Sequence, residues 1–254
     1  MLVRTLIAVT AVALGLWTVE ALWPEQEQPK WRQGSGWDLF YLLLDSLVRR
    51  VGSVAVIVVA VALLIAHVAR PSIAAQQPQW LQVVEVLVGG DLINYWLHRA
   101  FHMNKRLWPF HAVHHSAPML DWVAAARQHP VDDLVHQVIQ VLPFFLLGFQ
   151  PRILAAYAPF LTIYPILLHA NVRWGFGPLR WIIASPAWHR WHHASEPEAL
   201  DKNFSGLFPW VDLLFGTAYF PNRAPKVFGL ADGGEPRGLW AQLTYPWRTL
   251  PAAA

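Results

Sequence analysis

The sequence predicts an all-α, polytopic membrane protein with about four to five transmembrane helices and a histidine-rich helical cap facing the cytoplasm. Three observations carry that expectation. Of the 254 residues, 55% are apolar and only 14% charged, against about 25% charged in an ordinary soluble domain. Fifteen tryptophans point to a bilayer–water boundary, where indoles concentrate. Long apolar runs alternate with polar stretches in which many of the 12 histidines are grouped. The absence of cysteine excludes a disulfide scaffold, a thiolate metal site and a cysteine nucleophile. Nineteen Lys and Arg against 16 Asp and Glu leave a net charge of +3. That excess is scattered and gives no case for a nucleic-acid partner.

Crossing about 30 Å of hydrocarbon takes about 20 mostly apolar helical residues. Residues 2–22 meet this, with Arg4 near one end and Glu20 near the other. No small-x-small cleavage site closes the run, so it reads as a retained anchor rather than a signal peptide. Residues 24–37, with Pro, Gln, Gly and Ser, form a polar loop. An amphipathic stretch, 38–48, leads into the aliphatic run 51–68, which Pro71 ends. Residues 80–102 make a third helix, less apolar because it holds Glu85, Asp91, Asn94 and His98. Ionisable groups at such depth face a bundle interior or a site. Residues 133–149 and 151–170 follow with no real loop between them and read as a tight helical hairpin.

Arg49 and Arg50 place the start of the 51–68 run in the cytoplasm by the positive-inside rule. Alternation then puts everything after His169 on the same side. Lys30, Arg32, Lys105, Arg106, Arg127, Arg173, Arg180, Arg190 and Lys202 fall with it, while Arg4, Arg70 and Arg152 fall opposite. The expected location is the inner or plasma membrane of a bacterium, with the histidine groups facing the cytoplasm.

Three histidine groups carry the chemistry. His98 and His102 are four residues apart, one helical turn, and share a face. His111, His114 and His115 form a His-x-x-His-His box, and His189, His192 and His193 form a second. Neutral imidazole suits iron, zinc or copper, and eight such residues exceed what one ion binds, so two nearby metal ions are expected. His169, at the end of the second hairpin helix, is read as a further ligand. His129, before Pro130, has either a ligand role or a loop role. Asp91 and Asn94, seven and four residues before His98, either orient ligating rings or bond helix to helix. Asn171, Asp201, Asn203 and Asp212 are lesser candidates for orienting rings. His67 and His136 are read as packed or hydrogen-bonded side chains. The tryptophans near the boxes are read as an interfacial belt.

These residues resemble a known family. Asn94-Tyr-Trp-Leu-His98-Arg-Ala-Phe-His102, Leu107-Trp-Pro-Phe-His111-Ala-Val-His114-His115-Ser116, Arg127-Gln-His129-Pro130, His169-Ala-Asn171-Val, His189-Arg-Trp-His192-His193, Asn203-Phe and Asp212-Leu-Leu-Phe-Gly216-Thr217 occur in this order. Together they resemble the fatty acid hydroxylase superfamily, nearest its bacterial-type sterol desaturase branch, from about residue 91 to 219. The resemblance implies a membrane-bound di-iron oxygenase that uses dioxygen and two electrons to hydroxylate or desaturate a lipid C–H bond. It implies as iron ligands His98, His102, His111, His114, His115, His189, His192 and His193, with His169 added. It also implies a carboxylate shortly after Arg-x-His-Pro, commonly Glu in the family, where this chain has Asp132 and then Asp133.

The expected organisation is an N-terminal region of anchor helices and linkers, 1–79, a di-metal catalytic unit, 80–220, and a tail, 221–254. The expected partners are the membrane, a lipid substrate (sterol, fatty acyl or related) and a separate electron-transfer protein with its reductase. No Rossmann glycine fingerprint or haem-attachment motif occurs in the chain to supply electrons internally. Alternative readings are a carotenoid-ring hydroxylase or an ether-lipid monooxygenase and, from another class, a membrane metal transporter. A transporter is expected to hold its ligands near the bilayer midplane on broken helices, often in two related halves. Here the boxes sit at helix ends and no repeated half is evident.

Overall fold

The computed structural model describes residues 2–66 and 73–250. His67, Arg70 and Pro71 lie outside them, as do the side chains of Arg4, Arg49 and Arg50. The described chain is helical, with no strand among the described residues and two isolated bridges, Pro24 with Val172 and Ala194 with Phe228. The long helices are α1 (Leu2–Leu22), α2 (Ser35–Ala66), α4 (Gln79–Met103), α6 (Pro130–Leu146) and α7 (Pro151–His169). A single turn, α3 (Ile73–Gln76), precedes α4. Short helices α5 (Trp108–His115), α8 (Pro186–His192) and α9 (Pro209–Phe215) carry or flank the histidine boxes. An amphipathic α10 (Leu239–Thr249) closes the chain and packs on α5, giving structure to a region read from sequence only as a tail.

Local chemistry explains where these helices start. Pro stands at the first turn of α5, α6, α7, α8 and α9, where its missing N–H costs nothing. Ser185 caps α8 by accepting from Trp188 N at 3.2 Å. The hairpin's first helix starts earlier than expected, at Pro130 rather than 133. His129 caps it through Nδ1, and Asp132 and Asp133 in its first turn suit the helix dipole. Pro159 and Pro165 lie inside α7. Among the described residues one helix, Pro151–His169, is long and apolar enough to cross a membrane by length and composition.

α2 runs along α6, and α4 packs on both α6 and α7. The core between these last three is Val86, Phe144, Phe149, Ile153, Leu154 and Tyr157. Gly90 lets them close: a Cβ there would collide with the Tyr157 hydroxyl, the small-residue contact that membrane helices use for near approach. A buried ionic knot ties the 24–37 loop to the segment before α6. Arg32 donates to Asp38 at 2.5 Å and to both oxygens of Asp121 at 2.7 and 2.8 Å. Arg127 donates to Asp38 at 2.7 and 3.1 Å and to the Ser116 carbonyl.

Candidate metal centre

Four elements converge to build the site. α4 presents His98 and His102 from its last turns, and α5 presents His111, His114 and His115. His169 is the final residue of α7, and α8 with its C-cap supplies His189, His192 and His193. The nine side chains fall into two groups. His98, His102, His111, His115 and His192 make one, and His114, His169, His189 and His193 make the other, each with a nitrogen from every member within 4.8 Å of the rest. The two groups interlock through α5 and α8, each of which contributes to both. The ring centroids of His115 and His193, one from each group, are 4.4 Å apart.

The hydrogen bonds behind these rings fix which nitrogen carries the proton. His98 Nδ1 meets the Phe204 carbonyl at 2.9 Å, His114 Nδ1 the Arg127 carbonyl at 2.9 Å, His169 Nδ1 the Pro165 carbonyl at 2.7 Å and His192 Nδ1 the Lys202 carbonyl at 2.9 Å. His111 Nδ1 meets Asp132 Oδ2 at 2.8 Å. A carbonyl can only accept and an ionised carboxylate does the same, so each Nδ1 is a donor and each Nε2 of a neutral ring keeps its lone pair. Those lone pairs face each other. His98 Nε2 is 3.0 Å from His111 Nε2, and His114 Nε2 is 3.1 Å from His169 Nε2. His115 and His192 meet through Nε2 at 3.0 Å, and His193 and His189 at 3.1 Å. His102 Nε2 is buried without a partner. Converging lone pairs repel unless a proton or a cation lies between them, and the crowding fits two cations ligated through imidazole.

Protonation is the disfavoured remedy. Burial, and after it the neighbouring imidazoles, hold His114, His115, His189 and His193 well below the ordinary histidine range. Burial pushes His192 down to about 3, against the Lys202 carbonyl, which favours its charged form. A set of neutral, lone-pair-bearing rings is what a metal ion requires.

Surrounding groups hold the rings through longer chains. Among the described residues Asp91 is hydrogen-bonded to no histidine; it accepts from the backbone N–H groups of Gly206, Leu207 and Phe208, each at 2.8 Å. Asp212 does the same for Phe204 and Ser205. These two carboxylates clamp the loop whose Phe204 carbonyl orients His98. Asn94 donates to that carbonyl at 3.4 Å and accepts from Gln140 at 2.7 Å. Asn203, with φ 59°, binds Trp188 and Tyr219 main chain, and Asn171 binds the main chain at Gln26. Asp201 Oδ1 lies 3.3 Å from His102 Nδ1. His129 is outside both groups: beyond capping α6, it meets the Leu243 carbonyl through Nε2 and lies against Phe110 and Trp247.

Asp132 has a place that the sequence reading did not assign. It joins His111 to His136, whose Nδ1 is 2.7 Å from Asp132 Oδ1. The available signal was the spacing: Asp132 and His136 are four apart, one turn of a helix that starts at the cap His129.

The comparisons with known proteins follow this geometry. The family model "Fatty acid hydroxylase" matches residues 83–217, which include all nine clustered histidines. An ornithine lipid hydroxylase of Rhizobium tropici is 31% identical over 190 residues, covering 72% of this chain and 57% of that protein. An alkylglycerol monooxygenase of Danio rerio is 32% identical over 162 residues, 63% of this chain and 36% of its own. A Delta(7)-sterol 5(6)-desaturase of Gibberella zeae is 30% identical over 148 residues, 58% and 43%. The chain thus spans little more than half of the first relative and about a third of the second. No solved structure matches it.

Proposed function

The chain belongs to the fatty acid hydroxylase family, and from that premise we propose that it is a membrane-bound di-iron oxygenase acting on a lipid C–H bond. The observation that carries the reading is the two interlocked groups of buried Nε2 lone pairs. When bound there, iron with dioxygen supplies an oxidant for an unactivated C–H bond, which side chains alone cannot provide. His98, His102, His111, His115 and His192 hold one ion, and His114, His169, His189 and His193 the other. Phe204, Arg127, Pro165, Lys202 and Asp132 keep the Nδ1 protons engaged and the Nε2 atoms turned inward.

The substrate, a sterol, fatty acyl or related lipid, enters between α4, α6 and α7. A cavity of about 150 Å³ there has apolar walls from Leu87, Phe160, Leu161 and Ile166, with Asp45, Asp91, Asn94, Asp133, Gln137 and Gln140 among its polar lining residues. His136 forms part of its wall, its ring centroid 6.2 Å from that of His111, so the cavity approaches the centre without touching a ligand. Four to five spans, formed by α1, α2, α4 and the α6–α7 hairpin, hold this cavity in the bilayer. Leu43, Val54, Ile57 and Ile163, all more than half exposed, suit lipid contact. The centre faces the cytoplasm of a bacterium at its inner or plasma membrane, where a separate carrier and reductase deliver two electrons. The identity to an alkylglycerol monooxygenase favours a second reading, an ether-linked substrate.

Metal analysis of the purified chain is expected to give two irons per molecule. His114→Ala is expected to abolish turnover with membrane insertion intact. Full activity in a chain stripped of iron overturns the reading. Lipid profiles of cells lacking and overproducing the protein separate acyl, sterol and ether-lipid substrates, and a carotenoid-ring enzyme would leave the acyl and sterol fractions unchanged.

A further inference from the structure

α8 has two flanks. His189, His192 and His193 serve the centre, while Arg190 and Trp191 between them face a separate cavity of about 710 Å³ that none of the nine clustered histidines lines. Three arginines are among the residues that line it, Arg180, Arg190 and Arg223, together with Asn222, Trp181 and Trp191.

Arg190 is the unusual member. The residue is 0% exposed, yet it makes one hydrogen bond, from Nη1 to the Leu120 carbonyl at 3.2 Å. Its Nε and Nη2 are buried with no partner, and no carboxylate among the described residues lies within ion-pair distance. A buried cation with two donor groups unmet is costly unless a ligand completes it. All three arginines lie against rings, Arg190 with its Cζ 4.9 Å from the centre of the Phe228 ring. Arg223 lies 4.6 Å over Trp191, whose indole N–H in turn donates to the Arg223 carbonyl, and Arg180 lies 5.3 Å from the Trp181 ring. Arg223 also pairs with Glu196 at 2.6 Å, and Arg180 donates to Asn222 Oδ1 at 3.5 Å. One acidic residue, Glu25, lines the same cavity, so the arginines outnumber it three to one.

We propose that this cavity is a binding site for a phosphate group, anchored on the buried fork of Arg190 and closed by Arg180 and Arg223. Guanidinium forks match phosphate oxygens two at a time, and the cavity leaves room for an organic substituent beside the phosphate. The phosphate comes from a lipid headgroup or from a soluble phosphate ester. Because the site and the metal ligands occupy opposite flanks of α8, occupancy holds the helix that carries His189 and His192.

The test uses the full chain, purified in a phosphate-free detergent and stripped of iron, so its result is independent of the di-iron reading. Inorganic phosphate and, separately, short-chain phosphatidylglycerol are titrated at constant ionic strength, with tryptophan fluorescence and the melting temperature as readouts. Saturable binding of at least one probe is expected, weakened about tenfold in Arg180→Gln or Arg223→Gln and abolished in Arg190→Gln. Binding of inorganic phosphate assigns a soluble source, and binding of the lipid alone assigns a headgroup. Arg180→Gln and Arg223→Gln alter exposed or half-buried side chains and keep the test valid where Arg190→Gln fails to fold. Saturation by neither probe, or wild-type titrations in both of these variants, overturns the proposal.

Discussion

The two histidine groups lie side by side and differ in what stands behind them. In the five-membered group two rings back onto carboxylates, His111 on Asp132 and His102 on Asp201, and two onto carbonyls. In the four-membered group the partners found among the described residues are carbonyls: His114 leans on Arg127, His169 on Pro165, and His189 Nδ1 is buried with none. A carboxylate makes its histidine a stronger donor to a metal and can be replaced without disturbing the backbone. A carbonyl ligates only as well as the backbone is placed. The five-membered group is therefore tuned by side chains, and the four-membered group by the fold.

The strongest way to break that contrast is to move the backbone of Arg127 without touching a histidine. Asp38 is fully buried and accepts from both Arg32 and Arg127. Asp38→Ala strands the buried guanidinium of Arg127 and leaves that of Arg32 on Asp121 alone, a loss of about 3–5 kcal/mol, and frees the segment whose carbonyl orients His114. The expected result is a large fall in the unfolding midpoint, with iron content dropping from two towards one as the four-membered group empties first. Equal loss from both groups would show that the fold supports them alike.

Acid probes the same difference through protons. The folded chain holds His114, His115, His189, His192 and His193 below their unfolded value, so below about pH 6.5 the unfolded chain binds more protons. Stability of the metal-free protein is therefore full above that pH and falls as pH drops, by about 1.4 kcal/mol per pH unit for each imidazole. Three of these five belong to the four-membered group. Melting temperatures between about pH 7 and 5 should fall steeply without metal and much less with it, since a bound ion excludes the proton.

Asp132→Asn tests the side-chain half of the contrast. The amide keeps the shape but removes the charge behind His111, and loss of such a partner typically costs 10–100-fold in metal affinity. Chelator competition should become biphasic, with one iron leaving early and the four-membered group unchanged. A uniform loss would mean that Asp132 acts through the fold of α6.

These partners differ in how far the sequence reveals them. Histidine spacing is a side-chain pattern, so the boxes and the His98–His102 pair could be read directly, and the lengths of the apolar runs placed the long helices to within a few positions. Asp132 was legible as a carboxylate after His129-Pro130, but its tie to His111 bridges 21 positions. The carbonyls of Phe204, Arg127, Pro165 and Lys202 leave no trace in a sequence, because every residue has one. Asp38 and Arg127 are 89 residues apart, and nothing local couples them. Asp91 shows the converse: its place one helical face below His98 suggested a ring partner, and the backbone of 206–208 uses it instead. Arg190 could be read only as one more cytoplasmic charge until burial distinguished it.

The smallest expected effect sharpens the comparison within the five-membered group itself. Asp201 also sits behind a histidine, but its side chain is 52% exposed and its contact with His102 Nδ1 is long, at 3.3 Å. Water and salt screen such a pair, which is worth about 1 kcal/mol or less. Asp201 stands at φ 57°, a left-handed conformation that asparagine tolerates well, so Asp201→Asn removes the charge with little backbone cost. Affinity for the more labile iron is expected to fall by about fivefold at most, and raised salt should lower the wild type towards the variant. A loss as large as that of Asp132→Asn, or one that salt does not reduce, would show that any carboxylate behind the ring suffices. The tuning would then follow charge alone, whereas the expected result makes it follow burial.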